Sequence, residues 1–219
     1  MLNANLPSGP YGGDTIDEIA TALETSGYLV LPSVFSEDVL QSIFIHFKSL
    51  DEERFRTAGI GREDVYHVNQ FVRTDEIFWL DRTIPAVNAY FDWIEELRLG
   101  LNRRLFLGLF DYECHYAYYP TGAFYKKHLD AFKGEASRVV TTVLYLNPNW
   151  LPQDSGELLL YNMEGDLPIE RIEPQFGKMV IFLSEDFPHE VLPVNKPRYS
   201  IAGWYRVNTS STLAVDPPQ

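Results

Sequence analysis

The sequence contains a single cysteine, Cys114, among its 219 residues. One thiol cannot form a disulfide within the chain, and the paired cysteines of CxxC zinc and redox motifs are absent. Disulfide-stapled secreted domains and cysteine-based zinc modules are therefore excluded. Because a chain without disulfides suits a reducing compartment, the expected location is the cytoplasm.

Positive charge and long apolar runs are also scarce. Eighteen lysines and arginines stand against 31 aspartates and glutamates, and the net charge of −13 repels the phosphates of nucleic acids and anionic lipids. No stretch approaches the roughly 18 apolar residues that a membrane-spanning helix needs, and the first residues lack the pattern of a signal peptide. Neither nucleic acid nor a membrane is an expected partner.

Apolar residues recur at helical spacing in the first half of the chain. Asp14 fits an N-cap and Gly27 a helix end, while Ser36 fits the N-cap of a second helix. Pro85 is acceptable in the first turn of a third helix. The predicted helices cover these residues: about 15–26, about 37–50 and about 84–101.

After about residue 104 the pattern changes to short β-rich runs separated by turn residues. The main predicted strands are 105–110, 114–119, 138–146, 156–161, 178–183 and 199–205. Helices followed by seven or eight strands without intervening helices indicate an antiparallel jelly roll, the double-stranded β-helix, with N-terminal helices as support. The predicted fold class is mainly β (α+β).

The predicted domain organisation follows from this change of pattern. One domain is expected over residues 13–207, with helical support to about residue 103 and the jelly-roll core from about residue 104. A flexible arm is expected at 1–12 and a flexible tail at 208–219.

A metal-binding pattern lies within the β-rich part. His128 and Asp130 are two residues apart, so on an extended backbone both side chains leave the same face. His189 stands at the start of another predicted strand, which a closed jelly roll can bring beside that pair. Two imidazoles and one carboxylate form the facial triad that binds ferrous iron and leaves adjacent coordination positions open. An isolated HxD pair is, however, more often a surface pair on a turn than a metal site.

Arg198 favours the metal interpretation over the surface turn. It begins a strand nine residues beyond His189, and inside a jelly roll it would be a buried cation that requires an anion. A guanidinium binds a carboxylate through two parallel hydrogen bonds. A metal and an arginine in one barrel suit a diacid that chelates iron at one end and pairs with Arg198 at the other. 2-Oxoglutarate is such a diacid.

Six further segments extend the pattern over some ninety residues. They are YYPTGAFYKKHLD (118–130), RVVTTVLYLNPNW (138–150), SGELLLY (155–161), IEPQFGKMVIF (172–182), PHEVLPV (188–194) and RYSIAGWY (198–205). In order and spacing they resemble the prolyl 4-hydroxylase branch of the Fe(II)- and 2-oxoglutarate-dependent oxygenases, in particular the hypoxia-type prolyl hydroxylases and their bacterial relatives. A fainter similarity in RTDEIFWL (73–80) extends the resemblance upstream.

The resemblance implies a role for five residues around the iron and its cosubstrate. His128, Asp130 and His189 would ligate Fe(II). Arg198 and the hydroxyl of Tyr145 would bind the distal carboxylate of 2-oxoglutarate.

Four further positions match aromatic or hydroxyl-bearing residues of the family's cleft. Tyr119 matches a tyrosine that contacts the cosubstrate, although the segment up to the first histidine is one residue shorter than in the hypoxia-type enzymes, so Tyr118 remains an alternative. Tyr125 and Trp204 match residues that contact substrate, with Trp204 at the mouth of the cleft. Ala202 stands where those enzymes carry a threonine, so one hydroxyl contact is absent.

The activity implied by the resemblance is hydroxylation of a prolyl residue in a protein or peptide. The reaction would use Fe(II), 2-oxoglutarate and O2, with ascorbate as a supporting reductant, and would yield 4-hydroxyproline, succinate and CO2. Residues 51–75 are predicted to form a long loop or a two-stranded finger that folds over an extended substrate, with a passive connector as the alternative.

Three other functions are compatible with parts of the pattern. Hydroxylation of a free amino acid or another small molecule would use the same site. A zinc hydrolase would use the same three ligands but would leave Arg198 and Tyr145 without a role. A jelly-roll binding module without turnover is the remaining alternative.

Overall fold

The computed structural model describes residues 13–57, 72–131 and 137–208. The helices of this part of the chain are α1 (Gly13–Thr25), α2 (Glu37–Ser49) and α3 (Asn88–Leu105). Its strands are β1 (Tyr28–Leu31), β2 (Arg56–Thr57), β3 (Glu76–Trp79), β4 (Leu109–Tyr119), β5 (Tyr125–His128), β6 (Arg138–Tyr145), β7 (Leu158–Tyr161), β8 (Pro168–Ile172), β9 (Met179–Leu183), β10 (His189–Val191) and β11 (Arg198–Val207). The predicted arm at 1–12 and almost all of the predicted tail lie outside the described residues.

The three predicted helices are confirmed, but the third is displaced along the chain. A 3-10 turn at Pro85–Val87 precedes α3, which continues to Leu105 and ends where Phe106 adopts a left-handed conformation with φ of 54°. The predicted strand at 105–110 is therefore wrong over its first four residues. Helix α3 extends so far because the side chains of Arg98 and Asn102 both donate hydrogen bonds to the Leu109 carbonyl, at 2.7 and 2.8 Å, and tie the helix to the start of β4.

The strands form two sheets, and each described pair of neighbouring strands is antiparallel. The larger sheet has the order β1-β9-β6-β11-β4-β3-β2, and the smaller has the order β5-β10-β7-β8. The inner faces of the two sheets share an apolar cluster that contains Tyr145 and Phe182 from the larger sheet and Leu158 and Leu160 from the smaller. The predicted double-stranded β-helix is thereby confirmed.

The larger sheet is buried on both faces. Because side chains alternate along a strand, Arg198 and Trp204 of β11 face the smaller sheet, while Ile201 and Tyr205 face the opposite way. The latter pack in the main apolar core together with the buried residues of the helices, such as Phe47 of α2. The helices thus cover one face of the sheet, and the other face is free to line an internal cavity.

The N-terminal region contributes strands as well as helices. β1 pairs with β9 at one edge of the larger sheet, and β3 pairs with β4 near the other. β2 pairs with β3 at the far edge of the larger sheet. The rest of the segment predicted to fold over substrate, residues 58–71 with Gly59 and Gly61, lies outside the described residues. No helix in the described ranges is long and apolar enough to cross a membrane.

Candidate functional site

The three predicted metal ligands lie together at the junction of β5 and β10. Antiparallel pairing of these strands places His189 directly opposite His128, and Asp130 follows two residues after His128. The Nε2 atoms of both histidines lie 3.6 Å from the Asp130 carboxylate, and the three ligand atoms are within 4.8 Å of one another. Two strands and one turn therefore bring two imidazoles and one carboxylate to a common point.

Hydrogen bonds fix which ring nitrogen of each histidine is available. Nδ1 of His128 lies 2.8 Å from the Lys126 carbonyl, and Nδ1 of His189 lies 3.1 Å from the Phe187 carbonyl. A carbonyl oxygen only accepts, so each Nδ1 carries the hydrogen and each neutral ring presents an Nε2 lone pair. Both lone pairs are therefore directed at the place where a metal ion would bind.

The charges of the triad suit a divalent cation. Burial lowers the pKa of His189 to about 4, which keeps its imidazole neutral at physiological pH even though Asp130 opposes the shift. Burial works against ionisation of Asp130, but the neighbouring His189, His128 and Arg138 outweigh it and hold the pKa of this carboxyl below its ordinary value. The site thus combines a neutral imidazole at His189 and a carboxylate at Asp130 with the second imidazole of His128.

Arg198 and Tyr145 lie deeper on the inner face of the larger sheet. Arg198 is only 1% exposed, and its guanidinium carbon lies 5.1 Å from the centre of the Tyr145 ring and 4.8 Å from that of Tyr119. Nη1 donates to the Ser200 hydroxyl at 3.3 Å. Nε and Nη2 of Arg198 and the hydroxyl of Tyr145 have no hydrogen-bond partner among the described residues. Burial raises the pKa of Tyr145 to about 12, so its hydroxyl stays protonated and can donate.

The metal end and the arginine end of the cavity are separated along β6. The Thr141 hydroxyl donates to Asp130 at 2.8 Å, while Tyr145, four residues further on the same face, lies beside Arg198. At the rise of an extended strand these two positions are roughly 13 Å apart. This interval leaves room for a small diacid that reaches a metal with one end and the guanidinium with the other.

The structure distinguishes between the two neighbouring tyrosines. Tyr119 pairs with Arg198 across β4 and β11 and faces the cavity. Tyr118 points to the other face of the sheet, where its ring stacks on that of Tyr199 at 5.3 Å. Ala202 lies on the cavity face between Arg198 and Trp204, and it adds no hydroxyl there.

The two predicted substrate contacts lie next to the triad or to Thr141, which bonds it. The Tyr125 ring stacks on that of the ligand His128 at 3.5 Å and 13°. Trp204 is 7% exposed and lies on the inner face of β11, six residues from Arg198, with its indole nitrogen lacking a partner among the described residues. Their roles in substrate binding remain predictions, whereas their positions flank the triad.

Sequence reasoning missed the charged residues that hold these two aromatic rings. Arg73 forms a salt bridge with the fully buried Asp75, and its guanidinium lies 4.3 Å from the centre of the Tyr125 ring. The Arg138 guanidinium lies 3.7 Å from the centre of the Trp204 ring and pairs with buried Glu113 at 2.8 Å. Arg73 and Asp75 lie in the segment 73–80, whose faint similarity to the family could have identified them. Arg138 and Glu113 are 25 residues apart, so no local sequence pattern connects them.

The residues present fit both an iron ion and 2-oxoglutarate. The donor set of two imidazoles and one carboxylate is that of non-haem ferrous sites. Two nitrogens of the buried arginine and the neighbouring tyrosine hydroxyl have no partner among the described residues, and a carboxylate is the anionic acceptor that matches their geometry. A zinc hydrolase would leave these donors unexplained.

Comparison with known proteins agrees with this site. Residues 114–206 match the family model described as the 2OG-Fe(II) oxygenase superfamily. Prolyl hydroxylase EGLN3 of Mus musculus is 31% identical over 198 residues, which cover 87% of this chain and 82% of the mouse protein. The Caenorhabditis elegans hypoxia-inducible factor prolyl hydroxylase is 30% identical over 208 residues, or 86% of this chain, but the chain spans only 28% of that protein's length.

Solved structures give the same assignment. A prolyl-4-hydroxylase of Pseudomonas putida has a TM-score of 0.79 and 36% identity, covering 88% of this chain and 99% of the bacterial one. A Trichoplax adhaerens prolyl hydroxylase, solved with a peptide fragment of the hypoxia inducible factor oxygen degradation domain, has a TM-score of 0.76 and 28% identity, covering 89% and 90%. By its sequence, its fold and its triad, the chain belongs to the prolyl hydroxylases of the 2OG-Fe(II) oxygenase superfamily.

Proposed function

We propose that the protein hydroxylates a prolyl residue of a protein or peptide in a reaction that consumes 2-oxoglutarate and O2. The observation that carries this proposal is the placement of Arg198 and Tyr145 in the same cavity as the His128, Asp130 and His189 cluster. Both residues are buried, and both have donors without a partner in the described part of the chain. The expected products are 4-hydroxyproline, succinate and CO2.

Iron held by His128, Asp130 and His189 would supply, together with 2-oxoglutarate and O2, the oxidising chemistry for C–H hydroxylation. The chain's own residues bind and orient the reactants. The Arg198 guanidinium and the Tyr145 hydroxyl would hold the distal carboxylate of 2-oxoglutarate and so fix its orientation. The Lys126 and Phe187 carbonyls accept from Nδ1 of His128 and His189, so each ring is oriented with its Nε2 directed inward.

The apolar surroundings of the site protect the chemistry from water. Phe182 packs edge-on against His189, with ring centres 4.9 Å apart, and Tyr125 covers the His128 ring. Trp204 pairs with Thr141 across β11 and β6, at the Asp130 end of the cavity, with Arg138 above its ring. An incoming prolyl ring would contact this aromatic wall, and the partly exposed Arg138 guanidinium would donate a hydrogen bond to a substrate carbonyl.

A prolyl residue within a polypeptide is favoured over a free amino acid by the relatives. The Trichoplax adhaerens enzyme was solved with a peptide fragment, and the Caenorhabditis elegans relative is named for a protein substrate. Hydroxylation of a free amino acid by the same residues is the second candidate. The two are separable because only the first adds oxygen to residues within a protein.

The test is hydroxylation by the purified protein with Fe(II), 2-oxoglutarate and ascorbate, offered cell-lysate proteins in one reaction and free L-proline in another. Mass spectrometry would detect added oxygen on proline, and a second assay would quantify succinate. His189→Ala serves as the inactive control. Oxygen on prolyl residues of a lysate protein supports the proposal, oxygen on free proline alone supports the second candidate, and no succinate in any reaction favours a binding module.

A further inference from the structure

Two buried hydroxyl groups stand behind the metal-binding carboxylate. The Thr141 hydroxyl on β6 donates to Oδ2 of Asp130 at 2.8 Å. The Ser184 hydroxyl, just after β9, lies 2.9 Å from the Thr141 hydroxyl. Thr141 is 1% exposed and Ser184 is fully buried, so neither hydroxyl can exchange its partner for bulk water.

The direction of both hydrogen bonds follows from the chemistry of the groups. Asp130 binds a cation as a carboxylate, and a carboxylate only accepts hydrogen bonds, so Thr141 is the donor to its Oδ2. The single hydroxyl hydrogen of Thr141 is therefore committed to Asp130, and Ser184 must donate to the Thr141 oxygen. The result is a directed chain from Ser184 through Thr141 to Asp130, in which each hydrogen bond polarises the next.

We propose that Thr141 and Ser184 are positioning residues that hold one oxygen of the Asp130 carboxylate and leave the other to bind the metal. This inference rests on the proposed function only in requiring a divalent metal at the triad. A charge-assisted bond to Oδ2 lowers the tendency of that oxygen to join the coordination shell. Binding through a single oxygen keeps three metal positions open for the reactants.

The same two hydroxyls connect the segments that carry the ligands. The Ser184 backbone N–H donates to the Val139 carbonyl at 3.0 Å, and the chain reaches His189 five residues later. Thr141 is two residues beyond Val139 on β6. The hydroxyl chain thus fixes the Asp130 turn against the segment that leads to the second histidine.

The test compares Thr141→Val, Thr141→Ser and Ser184→Ala in a titration with Co(II) under nitrogen, without 2-oxoglutarate. Valine has the shape of threonine without the hydroxyl, so Thr141→Val should weaken Co(II) binding about 10- to 100-fold, as is typical for lost outer-shell partners. It should also change the visible d–d bands of bound Co(II), since the carboxylate is freed to bind through both oxygens. Thr141→Ser restores the hydroxyl and should recover the wild-type affinity and spectrum, while Ser184→Ala should give a smaller loss.

Thr142→Val is the matched control. Thr142 is the next residue of β6, is also fully buried and also has a bonded hydroxyl, at 2.7 Å from that of Tyr112, but it faces the helices. This variant should lose stability and keep wild-type Co(II) affinity. The proposal is overturned if Thr141→Val and Ser184→Ala bind Co(II) with the wild-type affinity and spectrum, or if Thr142→Val weakens binding equally. If the triad did not bind a metal at all, the result would be different, because wild type and His128→Ala would then bind Co(II) with the same affinity.

Discussion

Arg198 is buried, yet two of its nitrogens have no hydrogen-bond partner among the described residues. We therefore expect that replacing Arg198 weakens 2-oxoglutarate binding and stabilises the ligand-free protein. In the ligand-free protein the guanidinium is desolvated without a carboxylate partner among the described residues, which is costly. We expect Arg198→Met, of similar volume, to raise the free energy of unfolding of the ligand-free protein. The same variant should weaken 2-oxoglutarate binding by at least about 30-fold, equivalent to about 2 kcal/mol.

Calorimetry with Mn(II) and 2-oxoglutarate in the absence of O2 would measure the binding, and urea unfolding would measure the stability. Tyr199→Phe is a suitable control, since Tyr199 neighbours Arg198 but faces the helical side. Mn(II) affinity alone should be nearly unchanged in both variants. Unchanged 2-oxoglutarate affinity in Arg198→Met would contradict the assignment of this residue.

His115 gives a prediction for pH. Burial, reinforced by the charge of Arg73, lowers its pKa from 6.5 to about 4, although Asp75 opposes the shift. In the unfolded chain the imidazole takes up a proton near pH 6.5, whereas in the folded protein it does so only near pH 4. The unfolded state therefore binds more protons in this window, and stability falls as the pH falls from about 6.5 towards 4.

The expected loss from this one residue is about 1.4 kcal/mol between pH 7.5 and pH 5.5. Urea unfolding of the metal-free protein across this range would measure it. His115→Gln removes the titrating group and should flatten the dependence by that amount. His46 is a control, because it is partly exposed and its replacement by Gln should change the slope less. An identical slope for wild type and His115→Gln would contradict the prediction.

At the scale of secondary structure, alternation and periodicity were sufficient for the long elements and not for the short ones. The 10 residues of β11 and the eight of β6 alternate or run as β-branched and aromatic residues, and both were predicted. β8, with its exposed proline and charges, lacks such a pattern and was not predicted. The end of α3 was misplaced because side chains of Arg98 and Asn102 fix it through Leu109, a contact that no local pattern encodes.

The candidate site, too, could be predicted from the sequence only in part. The spacing of His128 and Asp130 on an extended backbone, and the matching segments around Arg198, were sufficient to predict the triad and its companion arginine. Thr141 and Ser184 were not predicted, because their roles depend on the register of β6 against β9. A contact between residues 43 positions apart is a product of the fold rather than of either segment.

Gly203 of β11 pairs with Cys114 in the middle of β4. A side chain at this position would point to the face of the sheet that the helices cover. A Cβ at this position would collide with the Tyr112 hydroxyl and approach the Cβ of Cys114 to 2.8 Å. The Tyr112 ring cannot move aside easily, because its hydroxyl bonds both Tyr90 and Thr142, at 2.6 and 2.7 Å. Gly203→Ala should therefore destabilise the protein by about 1–3 kcal/mol, as overpacking of a core does.

Urea unfolding would measure the effect, with Gly122→Ala for comparison. Gly122 has nothing within 4 Å of a built Cβ, so its replacement probes only the strain of its positive φ of 87°. Metal binding should survive in Gly203→Ala, since the glycine faces away from the cavity. If Gly203→Ala were as stable as wild type, the prediction would be contradicted, and the paired strands β4 and β11 would be able to shift at this position without loss of stability.

At the scale of the whole molecule, the oxygenase signature and the folding unit differ in extent. The family model covers residues 114–206, yet the described sheet also includes β1 and β3 from the region before residue 80. The helical face of the sheet exposes large apolar side chains when α1, α2 and α3 are removed. They include Leu144, Met179, Ile181, Ile201 and Tyr205, all fully buried in the intact chain.

A fragment of residues 104–208 should therefore fail to fold cooperatively, although it contains every predicted site residue. Uncovering each of these side chains costs about 1.5–3 kcal/mol, and the five together cost about as much as the 5–15 kcal/mol of net stability that is typical of a domain. The fragment would also lose the strand partners that β1 and β3 give to β9 and β4, leaving two edges open for aggregation. Circular dichroism melting and size-exclusion chromatography, with the full chain as reference, would test this. A soluble fragment with a sharp melting transition and wild-type Co(II) affinity would mean that the helices serve some purpose other than holding the jelly roll together.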